Sequence, residues 1–228
     1  MAHKILMNEF QGLATEKWVH IELKDDDIFT WNVALIVVNP DSSFYGGYFK
    51  ATMTFPQNYP YSPPGFKFNP PIYHPNIYED GGLCISILHP PGEDEMSGES
   101  ASERWSPAQR VESVLISILS LLDDPEISSP ANLNASLMYR DNRPQYKQKV
   151  KECVERSKKD IPSGFVMPTH ESTMQRAPEK GIMDDEDFWV DSDVDEEDMF
   201  GGSDSDNELM TYEDEDDEDE GEGDTGSE

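Results

Sequence analysis

Positive charge is what this sequence has least of. Seventeen Lys and Arg stand against 48 Asp and Glu in 228 residues, for a formal net charge of −31. The deficit is uneven. Residues 171–228 hold 26 acidic and 2 basic side chains, a net of −24, and from Asp184 onward there is neither Lys nor Arg. Residues 1–170, with 22 acidic and 15 basic side chains, carry the remaining −7. Such a balance argues against nucleic acid and anionic membrane as direct partners and points to positive protein surfaces.

Cysteine is scarce as well. Two residues, Cys84 and Cys153, cannot build a disulfide framework in a chain of this size. The five histidines are scattered, and none forms a Cys/His set with zinc spacing, so neither metal nor cofactor is expected. Long apolar runs are missing too. The longest, Val114–Leu122, falls far short of the roughly 20 residues that span a bilayer. The N-terminal Met-Ala-His-Lys-Ile-Leu-Met-Asn-Glu-Phe turns polar too soon for a signal peptide, which leaves the glycosylation-like Asn134-Ala-Ser136 without weight. A soluble protein of a reducing compartment is expected.

What is present divides into one domain and an appendage. Apolar side chains at Ile5, Leu6, Phe10 and Leu13 predict a helix over 3–16. From Trp18 the period falls to two. Val19, Ile21 and Leu23 alternate up to a turn at Asp25-Asp26-Asp27. Trp31, Val33, Leu35 and Val37 form a second face, and Phe49, Ala51, Met53 and Phe55 a third, with Phe66 and Phe68 in a short fourth. Brief connections make this an antiparallel meander with one solvated face. Pro56 to Pro75 contains seven prolines and belongs at an edge. Ser106-Pro107 reads as a helix start, leading into a segment apolar on nearly every side from Val114 and therefore central and buried. A short helix around Leu133–Met138 and a last one from Pro144 follow, the latter with Tyr146, Val150, Cys153 and Val154 on its core stripe. The fold class is α+β: an N-terminal helix, a four-stranded antiparallel meander, a reaching loop, a central helix and C-terminal helices.

The reaching loop, His74-Pro-Asn-Ile-Tyr-Glu-Asp-Gly-Gly-Leu-Cys84, is where chemistry is expected. Pro75, Gly81 and Gly82 make its backbone irregular, and a single thiol closes it before the apolar Ile85-Ser86-Ile87-Leu88. A thiol on a loop edge with a nearby amide donor, Asn76, suits acyl transfer through a thioester. Asn76 either stabilises the oxyanion or pins the loop. His74, beside Pro75, is expected as a buried loop residue and not as half of a Cys–His pair. No basic residue adjoins Cys84 in sequence, so an ordinary thiol is expected, of pKa about 8.5.

Five ordered elements then meet. Tyr59-Pro-Tyr-Ser-Pro-Pro64, His74-Pro-Asn76, Gly82-Leu-Cys-Ile-Ser-Ile-Leu88, Trp105-Ser-Pro-Ala108 and Leu121-Leu-Asp-Asp-Pro125 resemble, over roughly residues 4–158, the ubiquitin-conjugating enzyme family. The acidic stretch between Cys84 and Trp105, the acidic tail and Ser86 look like the cell-division-cycle branch, which works with cullin-RING ligases. The resemblance implies a catalytic core over 1–165 with an acidic loop insertion at 91–104, then a linker over 166–183. A disordered acidic tail over 184–228 follows, a reading its composition shares.

Further roles come with the resemblance. Cys84 takes ubiquitin's C-terminus from the activating enzyme, and Asn76 assists. Ser86, His74 and Ser129 support the site, Ser129 as a gate or simply as a turn residue before Pro130. Tyr61, Ser106, Pro107 and Ala108, on two loops, contact the RING subunit together with the first helix. Glu93, Asp94, Glu95, Glu99 and Glu103 of the acidic loop orient the incoming ubiquitin. The tail, through Phe188, Trp189, Phe200 and Tyr212 among its charges, meets a basic cullin surface. Ser192, Ser203 and Ser205, each with an acidic residue three positions on, are expected substrates of an acidophilic kinase. Chains that direct substrates to the proteasome and a cytoplasmic and nuclear location complete the expectation. The competing readings are a non-catalytic ubiquitin-binding module and an acidic chaperone for basic proteins.

Overall fold

A helix, α1 (Ala2–Leu13), opens the chain and lies on a sheet of four antiparallel strands in the order β1 (Val19–Lys24), β2 (Asp27–Ile36), β3 (Tyr48–Thr54) and β4 (Gly65–Phe68). The structure, a computed structural model, describes residues 1–92 and 99–174. Every described residue belongs to one unit, Met1–Lys180. The acidic tail, with its aromatics and its serines, lies outside the described residues.

The sheet follows the alternation in the sequence. Strand pairing sets Ile21 against Val33, Trp31 against Met53, Leu35 against Phe49, and Met53 against Phe66, so the large apolar side chains share one face. Helix α1 buries Leu6 and Leu13 on that face and sets Phe10 edge-on to Trp31, with ring centroids 5.1 Å apart. The β1–β2 turn needs two left-handed residues. Asp25 and Asp26 supply them, at φ 54° and 58°, a conformation that aspartate tolerates better than most residues. The Pro-rich segment delivers β4 at the sheet edge, as its prolines require.

The outer face is not wholly solvated. Ala34, Ile36 and Tyr48 on it are buried under Ile161, Phe165 and Met167 of the chain that leaves the last long helix. The Phe165 ring stands 5.6 Å from Tyr48 and 5.4 Å from His20. Alternation could not show this cover, because the covering residues lie more than a hundred positions away.

Helix α2 (Val111–Asp123) also departs from expectation. It starts at Val111, not at Ser106-Pro107, which form a turn closed by a bond from Gln109 N–H to the Ser106 carbonyl. Nor is it buried all round. Val111, Val114, Leu115, Ile118 and Leu122 face the core, while Ile116 is 48% exposed. The Ser-Pro turn is held apart from the helix by the preceding Trp105, buried, whose Nε1 donates to the Pro60 carbonyl at 2.7 Å. Two further helices, α3 (Leu133–Asp141) and α4 (Arg143–Ser157), begin at side-chain caps on Asn132 and Asn142. Tyr146, Val150, Cys153 and Val154 are buried on α4 as the stripe requires. A short α5 (His170–Met174) ends the described chain.

Truncating Phe165 to alanine should uncover Tyr48 and Ile36 and lower stability by roughly 1–2 kcal/mol, less than for a fully buried ring because this one is half-exposed. Urea denaturation of Phe165→Ala against the parent protein measures it.

Candidate active site

Backbone hydrogen bonds fold residues 76–84 into a narrow hairpin. Cys84 N–H donates to the Asn76 carbonyl at 2.9 Å, Tyr78 N–H to Gly82 at 2.8 Å, and Gly81 N–H back to Tyr78 at 2.9 Å. The hairpin lies against the end of β4, where Phe68 N–H donates to the Gly81 carbonyl at 2.9 Å. Gly81 is required there: its φ is +92°, and a Cβ would stand 2.1 Å from the Phe68 carbonyl oxygen. At the tip, the Asp80 carboxylate accepts from Gly82 N–H at 2.9 Å and from Lys67 Nζ at 2.8 Å. These bonds hold its carboxyl below the usual range, the Lys67 hydrogen bond most of all. Cys84 thus sits at the end of a braced element, half-buried and free.

Asn76 is 2% exposed, and its side-chain amide is committed. Nδ2 donates to the Glu126 carbonyl at 2.8 Å, and Oδ1 accepts from Glu126 N–H at 2.9 Å. One side chain thereby completes both backbone groups of a residue in the segment that follows α2. A third bond, from Asn132 N–H to the Pro75 carbonyl at 2.8 Å, ties the same loop to the cap of α3. Exposed Ser129 lies in the segment these three bonds hold.

His74 is fully buried and turned away from catalysis. Its Nδ1 accepts from Asn76 N–H at 3.1 Å, so the neutral ring carries its proton on Nε2. Nε2 has no partner within hydrogen-bond geometry, and the backbone of Leu121 and Leu122 favours the protonated ring only weakly against burial. Burial dominates and pulls the pKa from 6.5 down to about 4.

Tyr78, unmarked in the sequence reading, stands beside the thiol. A charged Cys84 is the largest influence raising the Tyr78 hydroxyl's pKa, followed by burial, a hydrogen bond to Cys84 and the charge of Asp80. The sequence did hold a signal. In a hairpin where Ile77 pairs with Leu83, positions 76, 78, 82 and 84 share one face, and Gly82 leaves that face open for the ring.

The acidic insertion is anchored at its base. Ser86 begins a 3-10 turn (Ser86–Leu88), and its hydroxyl bonds the Glu99 carboxylate. The same carboxylate accepts from His89 Nδ1 at 2.8 Å and from Arg104 Nε at 3.1 Å. Partial burial pushes the Glu99 carboxyl up, but the hydrogen bonds and the His89 charge outweigh it and hold the group low. Glu99 therefore points inward, with its side chain 20% exposed. Glu103 is exposed and accepts from Ser100 N–H at 3.3 Å. Glu93, Asp94 and Glu95 lie outside the described residues.

The remaining candidates gather on another face. Tyr61 is 62% exposed, Pro107 and Ala108 are exposed, and Ser106 is half-buried. Their two loops are joined beneath by the bond from Trp105 to Pro60.

Comparisons with known proteins point to one family. The sequence profile described as "Ubiquitin-conjugating enzyme" matches residues 5–154. "Ubiquitin-conjugating enzyme E2-34 kDa" of Saccharomyces cerevisiae is 53% identical over 206 residues, covering 86% of this chain and 70% of that protein. "Ubiquitin-conjugating enzyme E2 7" of Arabidopsis thaliana is 51% identical over 133 residues, or 58% of this chain and 80% of its own length. "Ubiquitin-conjugating enzyme E2 15" of Schizosaccharomyces pombe is 46% identical over 134 residues, 58% and 79% respectively. A match that covers 86% of this 228-residue chain must extend into the acidic region beyond residue 184.

Two outcomes follow from the buried polar pair. Asn76→Ala strands the Glu126 N–H and carbonyl, and should lower stability by about 2 kcal/mol in denaturant titration. His74 makes stability fall with acid. Its folded pKa lies below the unfolded 6.5, so the unfolded chain takes the proton first. Stability is full above pH 6.5 and declines toward pH 4, by roughly 3 kcal/mol at most. The lowered carboxyl of Glu99 acts later, below its ordinary 4.5. Unfolding free energies at pH 7 and 5 should therefore differ less in His74→Gln than in the parent protein.

Proposed function

This chain belongs to the ubiquitin-conjugating enzyme family, and from that premise we propose the course of the transfer it carries out. Ubiquitin's C-terminal carboxyl passes from the activating enzyme's thiol to Cys84: the Cys84 thiolate attacks, a new C–S bond forms as the old one breaks, and the first thiol leaves. A lysine amine of the substrate, or of another ubiquitin, then attacks the Cys84 thioester. The tetrahedral oxyanion collapses, the amide forms, the Cys84 thiolate departs, and the amine's proton goes to solvent.

The observation that carries this reading is the placement of a free, half-buried thiol at the end of a braced hairpin. Exchange between thioesters is nearly balanced in energy and asks for access and alignment more than for a strong base. His74, buried with Nδ1 occupied by Asn76, is not arranged as such a base. Asn76 serves twice in this scheme. It holds the 126–132 segment through Glu126, and the second hydrogen of Nδ2 is left to donate to the oxyanion, a contribution of typically a hundredfold to a thousandfold in rate. Ser129 lies where the held segment borders the site. Glu99, tied to Ser86, sets the base from which the rest of the acidic loop, Glu93, Asp94, Glu95 and Glu103 included, orients the incoming ubiquitin.

The same reading places the RING subunit of a cullin-RING ligase on Tyr61, Ser106, Pro107 and Ala108, an exposed aromatic beside two joined loops. The acidic tail meets a basic cullin surface, with fast encounter and a steep loss of affinity in salt. The product is a polyubiquitin chain directed to the proteasome. Two free thiols suit the reducing cytoplasm and nucleus.

A charging reaction with activating enzyme, ATP and ubiquitin, resolved on reducing and non-reducing gels, tests the carrier step. A reducible adduct should form on the parent protein and on Cys153→Ala and vanish in Cys84→Ala. Its persistence in Cys84→Ala would sink the assignment.

A further inference from the structure

Helix α2 caps only part of its own start, where Ser113 Oγ accepts the Arg110 N–H at 3.1 Å. The residue before it is Arg110, whose guanidinium has no acceptor, so the first amide of the helix must find its partner elsewhere. It finds it on another helix. Glu9 of α1 accepts the Val111 N–H through Oε2 at 2.6 Å. The same carboxylate accepts the Tyr59 hydroxyl through Oε1 at 2.8 Å. An anion at a helix N-terminus also gains from the helix dipole.

The three elements so joined carry or border the face assigned above to the ligase. Tyr59 is buried two positions before exposed Tyr61, and its ring packs 5.9 Å from Trp105. Val111 follows the turn at Ser106–Ala108 by three residues. Glu9 is half-buried and lines a surface cavity with Arg110 and Glu112 at the start of α2. The Trp105–Pro60 bond joins the two loops to each other, whereas Glu9 joins both to α1. Burial raises the Tyr59 hydroxyl's pKa, and the Glu9 charge raises it further, so the proton stays in this bond at working pH.

We propose that Glu9 is the positioning residue of the ligase-docking surface, its single carboxylate holding the Tyr61 loop and the Ser106–Ala108 loop in register on α1. This rests on the docking reading of Tyr61 and Ser106–Ala108. Replacing the carboxylate by an amide removes one of two acceptors and the charge, and the two loops then part by the freedom of one broken bond. The chemistry at Cys84 is on other elements and is left as it was.

The test uses the full chain charged with ubiquitin, with every rate normalised to the thioester present. Glu9→Gln, Tyr59→Phe and Tyr61→Ala are compared with the parent protein in discharge to free lysine, with and without a titrated cullin-bound RING subunit. For Glu9→Gln, discharge without ligase should stay within about twofold of the parent. The half-saturating RING concentration should rise roughly tenfold, the size of one lost charge-assisted hydrogen bond. Tyr59→Phe keeps the ring and loses only the hydroxyl, and should shift the same concentration by a smaller factor, so the proposal stays testable if Glu9→Gln folds poorly. A merely stabilising Glu9 would lower the melting midpoint and leave the half-saturating concentration unchanged, and that result overturns the proposal. Tyr61→Ala separates the two ideas. If it weakens RING binding while Glu9→Gln and Tyr59→Phe do not, the positioning role fails and the docking reading stands. If none of the three weakens it, the docking reading fails and takes the proposal with it.

Discussion

The site depends on one paired contact, the Asn76 amide against the backbone of Glu126. An amide side chain can offer a donor and an acceptor in the same plane, as a backbone residue does in a sheet ladder. Here it substitutes for a strand that the fold does not provide. The segment after α2 has no sheet to join, and the Asn76 amide takes up the backbone groups of Glu126 that a ladder would otherwise satisfy. With the pair formed, the hairpin ending in Cys84 and the segment leading to α3 become one body, to which the Asn132–Pro75 bond adds a second tie. His74 extends the arrangement inward, since its ring accepts the Asn76 N–H and so must stay neutral.

That arrangement explains a thiol site with little apparatus for proton transfer. The groups near Cys84 serve placement. Tyr78 shares its hairpin face, Gly81 allows the close approach to β4, and Ser86 begins the turn that anchors the insertion through Glu99. In the transfer proposed above, the acyl group would arrive and leave at similar energy, and alignment then counts for more than a strong base. The densest charge of the chain lies in the sequence past residue 184.

Two parts of the sequence reading were misled by local rules that tertiary contacts overrode. Ser106-Pro107 has the composition of a helix start, yet the helix waits until Val111, because Trp105 is drawn into the core and the first helical amide, Val111 N–H, is taken by Glu9 on α1. No local pattern contains a partner 102 residues away. Likewise the run from Val114 looks apolar on all sides, but Ile116 faces outward. Glu99 was grouped with the other acids of its loop as orienting an incoming ubiquitin, and only its three-dimensional partners, His89, Arg104 and Ser86, set it apart.

Short-range physics was enough for the rest. Periods of 3.6 and 2 marked α1, the four strands and the core stripe of α4, since burying one face constrains every third or every second residue. Prolines marked the edge strand, glycines the active loop, and ordered motifs the family. Tertiary structure alone decided what the exposed or ambiguous polar groups do. Asn76 was committed to Glu126, His74 to a neutral buried state, Glu9 to a second helix, and the outer sheet face to Phe165. Such choices turn on distance and direction between residues far apart in the chain, and a linear pattern carries neither.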